Sequence, residues 1–287
     1  MRLRLEYQPP YDWPAMLGFL AARAVTGLET VVDGVYSRSI GLNGLHGCVS
    51  LWPSAEDALE VALDFPDATA VPEIVARLRR MFDLDADLPV MHGHLARDPL
   101  LARLIAERPG LRVPGAWDGL ELAFRAVLGQ QITVVAAIRL AGKLVAGYGE
   151  PLACAVPGLT HVFPRAEVLA VADLAALGMP KSRGRTLSGV AQALLDDPAL
   201  FEPGREEGVA RLLALHGIGE WTAQYIALRQ LRDMDGFPHG DVGLLRALEV
   251  LEGERPTARN LAARAEAWRP FRGYAAQVLW SVMSRVD

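Results

Sequence analysis

The sequence predicts an α+β fold, with an antiparallel sheet and helices over the first third and an almost entirely helical remainder. Three observations lead there. Short runs of β-branched and alternating residues between 30 and 65 are cut by Asp-Gly, Asn-Gly and Pro-Ser turn signals. An Asp-rich stretch, Asp83-Leu84-Asp85-Ala86-Asp87-Leu88-Pro89, then interrupts the pattern. From about residue 90 onward, apolar residues recur at helical spacing with Pro and Gly between successive segments.

Taken in order, Asp12 is expected to cap a helix over residues 13–25, with Pro14 in the first turn, where its missing N–H costs nothing. Strands are expected at Thr30–Val35, Tyr36–Leu42, Gly47–Trp52 and Ala58–Phe65, followed by a helix at Val71–Phe82. The helical part is expected to use Pro99–Glu107, Gly119–Leu128, Val134–Tyr148, Arg165–Val171, Asp173–Leu177 and Lys181–Asp196. Gly208–Leu215, Glu220–Leu231, Val242–Leu251, Ala258–Ala267 and Tyr274–Met283 continue it. His92-Gly93-His94 reads as a loop pair, and the six histidines form no metal-ligand constellation.

Composition removes several function classes. No run of about 18 uncharged apolar residues is present, which argues against a membrane span. The opening MRLRLEYQPPYDW has no apolar signal region, so a soluble protein of the cytoplasm is expected. Cys48 and Cys154 are too few for a disulfide scaffold, a structural zinc site or a four-cysteine iron–sulfur cluster. The net charge of −5 sits uneasily with nucleic-acid binding, but it is unevenly spread. Residues 1–89 hold 7 basic against 13 acidic residues, and the remainder holds 22 against 21, leaving it free to arrange a local basic face.

The chemistry is concentrated between Leu212 and Leu248. Leu215-His216-Gly217-Ile218-Gly219-Glu220-Trp221-Thr222-Ala223 places an apolar helix, a Gly-x-Gly turn and a second helix in succession. Glycines let the backbone approach a phosphate closely, and the amides opening the next helix donate to it with the help of the helix dipole. A bare Gly-x-Gly between helices is also an ordinary connection, but the longer Leu-x-Gly-Ile-Gly-x-x-Thr-Ala pattern points to a DNA grip through Gly217, Ile218, Gly219 and Thr222. Asp241 stands 22 residues past Gly219, directly before an apolar helix. By itself it reads as an N-cap. A carboxylate at that place is also suited to stabilising oxocarbenium character as a glycosidic bond breaks, and the two roles are compatible.

At these residues the chain resembles the AlkA-type bacterial 3-methyladenine DNA glycosylases of the helix-hairpin-helix superfamily. Further similar stretches are Gln8-Pro9-Pro10-Tyr11-Asp12-Trp13, Leu17–Ala24, Arg80-Met81-Phe82-Asp83-Leu84, Arg108-Pro109-Gly110-Leu111-Arg112, Leu128-Gly129-Gln130 and Leu177-Gly178-Met179-Pro180. The resemblance implies a TBP-like α+β domain over 1–89 and a segment, 90–112, that rejoins the C-terminal helices. It further implies a helical subdomain with the hairpin over 113–232 and a C-terminal helical subdomain carrying the catalytic Asp over 233–287. It also implies an aromatic base pocket at Trp221, Tyr225 and Trp280, where stacking favours a cationic alkylated purine. Trp221 and Tyr225 share a helix face at i and i+4, although most helix aromatics are core. Trp268 and Phe271 read as core.

Gln131 matches the position of the family's wedge, which fills the gap left by a flipped nucleotide; a glutamine departs from the apolar residue of the best-known member. Lyase relatives place a lysine where Trp221 stands, so simple hydrolysis is expected. Carbonyls of Leu213, Leu215 and Ile218 are implied as ligands of a structural Na+ or K+, with no cofactor required. The expected function is excision of alkylated bases such as 3-methyladenine and 7-methylguanine from duplex DNA by a monomer flipping the base. The rivals are a non-enzymatic damage-binding protein and a glycosylase/lyase.

Overall fold

The computed structural model of the chain describes residues 1–283. Its first part holds five antiparallel strands, β1 (Arg2–Glu6), β2 (Glu29–Val32), β3 (Val35–Leu42), β4 (Leu45–Pro53) and β5 (Ala58–Asp64), in the spatial order β1-β5-β4-β3-β2. β2 to β5 form a meander, each strand pairing with the next. Its first two turns, Asp33-Gly34 and Asn43-Gly44, hold both residues at positive φ, as two-residue hairpin turns require. β1 was not expected. Arg-Leu-Arg-Leu-Glu offers only two apolar side chains, and the strand exists because Leu3 and Leu5 pair opposite Val61 and Leu59 of β5.

Helices α1 (Trp13–Ala21) and α2 (Val71–Met81) enclose one core with the sheet. Trp13, Met16 and Leu20 meet Ile74 and Leu78 there, over Tyr36, Val49, Leu51 and Leu59. Asp12 caps α1 by accepting from the Ala15 amide at 2.9 Å. The helix stops before the expected residue 25, and Val25 is buried instead in the neighbouring helical core.

The rest is helical: α3 (Leu88–Leu95), α4 (Pro99–Glu107), α5 (Gly119–Leu128), α6 (Val134–Tyr148), α7 (Ala166–Val171) and α8 (Lys181–Asp196). α9 (Gly208–Leu213), α10 (Glu220–Ile226), α11 (Val242–Glu252), α12 (Ala258–Ala265) and α13 (Arg272–Met283) follow. α3 corrects the loop reading of His92-Gly93-His94. Asp87 accepts from the Val90 amide, and Leu88, Met91 and Leu95 turn one face inward, which outweighs the poor helix propensity of Gly93. His94 meets the Phe271 ring edge-on.

Two helical cores result. One gathers Leu120, Phe124, Val127, Leu144, Leu187, Leu212, Ile218 and Ile226 from α5, α6, α8 and the α9–α10 pair. The other joins Met91, Leu95, Leu101 and Leu104 of α3 and α4 to Leu244, Leu248, Trp268 and Leu279 near the C-terminus. Burying each such aliphatic side chain contributes about 1.5–3 kcal/mol. α10 belongs to both: Ala223 and Ile226 enter the first core, and Leu228, in the π turn Ala227–Leu231 that continues the helix, enters the second. The helix that carries Trp221 and Tyr225 therefore spans the seam between the two cores.

The sheet is fastened to α5 by a buried ionic cluster. Arg38 pairs with Glu121 at 2.5 Å, and Arg125 pairs with Glu29 and with Glu121 at 2.8 Å each. The Tyr36 hydroxyl donates to Glu29 at 2.7 Å. Cys48 of β4 and Cys154 of the loop before α7 form a disulfide, with their Cα atoms 6.7 Å apart; it ties the sheet to the helical part as a single cross-link. Among the described residues no helix is long and apolar enough to cross a membrane.

Candidate active site

Asp241 opens α11. Its Oδ1 accepts the Leu244 amide at 3.0 Å, so the N-cap role is real, and the same oxygen accepts the Trp280 indole N–H at 2.8 Å. Oδ2 accepts the Trp221 indole N–H at 2.7 Å. An ionised carboxylate offers roughly four acceptor positions, so three donors fix its orientation and leave one position open on Oδ2. The side chain is half-buried. A carboxylate held in one orientation at a cleft can face a developing positive charge with no reorganisation.

The three aromatic residues expected at the base pocket stand together around it. Trp221 and Tyr225 are stacked, with centroids 5.1 Å apart and planes 15° from parallel. Tyr225 meets Trp280 edge-on at 6.5 Å. All three are only partly buried, whereas Trp268 is 1 % exposed, lies in the second helical core and donates its indole N–H to Asp98 at 3.0 Å. Phe271 is partly buried against the same core.

Three residues of this site were not picked out from the sequence. Gly243 is one, because a Cβ there would stand 2.9 Å from Asp241 Oδ1 and 3.4 Å from the Trp280 ring. A glycine in the first turn of α11 lets the indole reach the carboxylate, and its poor helix propensity was the available signal. Arg229 is the second, 4 % exposed, with its guanidinium 4.8 Å from the Tyr225 ring and 5.2 Å from the Trp280 ring. Phe19 of α1 is the third, lying 4.6 Å from the same guanidinium. Arg229 is four residues beyond Tyr225, so helical spacing offered a hint; the remoteness of Phe19 in sequence gave none.

The hairpin joins α9 to α10 with Gly217 at φ +81° and Gly219 at φ −91°. The two glycines differ in kind. A Cβ at Gly217 would fall 2.1 Å from the Thr186 hydroxyl, so that glycine is demanded by packing as well as by its left-handed backbone. A Cβ at Gly219 would meet nothing within 4 Å. No protein neighbour requires a glycine at 219, and the space above it is open at the start of α10. Ile218 is buried, 5 % exposed, and anchors the turn in the first helical core.

Thr222 differs from expectation. Its side chain is 2 % exposed, and its hydroxyl accepts from the Gln130 side-chain amide at 3.0 Å. The hydroxyl is therefore turned inward and joins the hairpin to the α5–α6 loop, leaving only the backbone of Thr222 at the interface. Gln130 also donates to the Gly217 carbonyl at 3.2 Å, and Arg183 donates to the Gln130 carbonyl at 2.6 Å. Pinned in this way, the loop presents the next residue, Gln131, exposed and at φ +59°. A left-handed backbone at a glutamine is uncommon and is held by its surroundings. Ile132, Val134 and Val135 beside it are exposed apolar residues.

Leu213 ends α9, and Leu215 and Ile218 lie in the turn, where the Ile218 amide donates to the Leu215 carbonyl at 3.1 Å. A donor set made only of carbonyl oxygens suits a hard cation and not a transition metal. No cluster of His, Cys, Asp or Glu suited to a metal occurs among the described residues. Lys143 stands on α6, donating to the Leu177 carbonyl at 3.2 Å, and Lys181 opens α8; neither is on the α9–α10 hairpin.

The chain matches two family models, the AlkA N-terminal domain over residues 2–118 and the HhH-GPD superfamily of base excision DNA repair proteins over residues 124–272. It is 41% identical over 283 residues to the probable bifunctional transcriptional activator/DNA repair enzyme AlkA of Mycobacterium tuberculosis, covering 98% of this chain and 57% of that protein. The chain thus spans little more than half the length of that relative. It is 37% identical to DNA-3-methyladenine glycosylase 2 of Escherichia coli K12, covering 96% of this chain and 95% of that one. The fold is also that of a 3-methyladenine DNA glycosylase from Archaeoglobus fulgidus, with a TM-score of 0.87, 24% identity and 99% of both chains covered. With an AlkA N-terminal domain, a matched helix-hairpin-helix region and relatives of this identity across almost all its length, the chain belongs to the AlkA-type branch of the helix-hairpin-helix base excision DNA repair family.

Proposed function

We propose that the chain hydrolyses the N-glycosidic bond of alkylated bases in duplex DNA, acting as a monomer in the cytoplasm and without strand-cleaving lyase activity. The observation that carries this reading is the half-buried Asp241 carboxylate, oriented by two indole N–H groups at the edge of an aromatic cluster and beside a DNA-type hairpin. The proposed division of roles follows the chemistry. Gly219 and the amides at the start of α10 take a phosphate, with the hairpin carbonyls of Leu213, Leu215 and Ile218 able to hold Na+ or K+. Gln131 enters the stack as the nucleotide turns out. Trp221, Tyr225 and Trp280 receive the base, their ring faces favouring a cationic purine. As the C1′–N bond breaks, its electron pair leaves with the base, and Asp241 faces the positive charge developing on the sugar. Water adds at C1′ and loses its proton.

The position of Trp221 supports hydrolysis over lyase chemistry, because an indole cannot form a Schiff base with the sugar. A base-release assay on duplexes carrying 3-methyladenine or 7-methylguanine tests the whole reading. Free base should appear with the strand intact until alkali is added. Binding without release would make the chain a damage-binding protein, and strand scission without alkali would make it a lyase.

A further inference from the structure

Arg229 is a buried cation without a counter-ion. Its guanidinium has no carboxylate within salt-bridge distance among the described residues, although its Nη1 donates to the Pro114 carbonyl at 2.7 Å. Its Nε is buried with no hydrogen-bond partner. Three aromatic faces surround it, those of Phe19, Tyr225 and Trp280. Chains seldom bury an unsatisfied guanidinium, because the desolvation cost is large unless charge and hydrogen bonds are matched. Burial weakens this group's hold on its proton, and the fields of Tyr225 and Asp241 oppose that effect. Arg229 therefore senses the carboxylate electrostatically while pairing with nothing. It also sits in the π turn that follows α10, a local irregularity found most often at functional sites.

Trp221, Tyr225 and Arg229 recur every fourth residue on α10 and its π turn, so two rings and a cation line one face. A cation behind the pocket rings acts differently on the two classes of damaged base. A cationic lesion such as 7-methylguanine leaves as a neutral molecule, because the bonding pair cancels its charge. A neutral lesion such as hypoxanthine leaves as an anion until it takes a proton from solvent. From this we infer that Arg229 is a specificity-determining residue that extends excision to neutral bases, its positive charge stabilising the negative charge that builds on their ring as the C1′–N bond breaks. For cationic bases the same charge works against binding and gives no help to departure. The inference rests on the proposed pocket and deepens it by setting the range of leaving groups.

The test is the ratio of single-turnover excision rates for hypoxanthine and 7-methylguanine duplexes, measured on the same preparation. Such a ratio is insensitive to the fraction of protein that is folded and active, so partial misfolding does not mask the outcome. Arg229→Gln should lower the hypoxanthine to 7-methylguanine ratio at least tenfold. Arg229→Lys keeps the charge but not the planar fork, and it should lower the ratio less. An unchanged ratio in both variants, or equal losses on both lesions, overturns the inference and leaves Arg229 a packing residue. Asp241→Asn is run beside them on both duplexes. If it still excises, the site reading itself fails; if it is inactive while the Arg229 ratio stays fixed, only the role of Arg229 fails.

Discussion

The indole N–H of Trp221 donates to Asp241 Oδ2 at 2.7 Å, joining the hairpin helix to the first residue of the helix that follows the hairpin by a single bond between side chains. The relationship makes Trp221 both a wall of the aromatic cluster and a positioning residue for the carboxylate. Its two contributions can be separated. Trp221→Phe keeps an aromatic face next to Tyr225 and removes the donor, so single-turnover excision should fall about tenfold, on the order of 1.4 kcal/mol, with KM little changed. A large rise in KM with kcat intact would mean that Trp221 acts only as a wall.

The hairpin glycines should respond oppositely to substitution. Gly219→Asp meets no protein neighbour, so melting should be unaffected, whereas affinity for damaged and undamaged duplex should drop alike and the salt dependence of binding should shrink. Gly217→Ala forces a side chain against Thr186 at a left-handed backbone, and it should cost about 1–3 kcal/mol of stability. Thermal melts with binding isotherms at two salt concentrations check both. A loss confined to damaged DNA with Gly219→Asp would contradict phosphate contact there.

Gln131 is exposed, left-handed and placed beside the hairpin by Gln130. Gln131→Ala should lower excision of well-paired lesions several-fold more than that of mispaired ones, because flipping costs most when the base begins paired and stacked. Gln131→Gly relieves the backbone at this position and should not lower Tm, yet it should show the same pairing-dependent loss. Excision that falls equally for paired and mispaired lesions would move the wedge to Ile132.

The ionic cluster between sheet and α5 sets a pH dependence of stability. Burial raises the pKa of Glu29, but Arg125 and Arg38, with the Tyr36 hydroxyl and the Val25 amide, outweigh it and hold the group below the usual glutamate value. A carboxylate depressed in the folded state contributes fully above its unfolded pKa of about 4.3 and loses that contribution as pH falls through the lower folded value. Glu29→Gln leaves buried guanidinium groups short of a partner and should cost about 3–5 kcal/mol near neutral pH. The gap from wild type should narrow as pH falls below about 4. Denaturant titrations at pH 7 and pH 3.5 measure it, and a gap of equal size at both would remove Glu29 from the cluster's energetics.

How far the sequence was legible depends on the range of the interactions involved. The ends of α4, α5, α6 and α8 fall at the expected residues, because each start or stop is local: Asp98, Asp118 and Thr133 accept amides of their own helices, and Pro180 precedes α8. β1 and α3 were missed, since one depends on pairing with β5 and the other on a capped face turned into a core formed with far C-terminal helices. In the site, Asp241 and the three aromatics were legible through motif spacing and family resemblance. The inward turn of the Thr222 hydroxyl, the fit of Gly243 under Trp280, and the stack of Phe19 on Arg229 are tertiary facts. Nothing within a few residues of those positions encodes them.

Asp241→Asn tests the central claim most directly. Asparagine caps a helix about as well as aspartate, and its side-chain oxygen can still accept from Leu244, so Tm and DNA affinity should stay near those of the parent protein. Single-turnover release of 7-methylguanine from duplex DNA should nevertheless fall by at least a hundredfold, the loss of about 2.7 kcal/mol of transition-state stabilisation or more. Release within a few fold of the parent rate, or a loss that merely follows a drop in Tm, would leave Asp241 a helix cap and place the chemistry elsewhere.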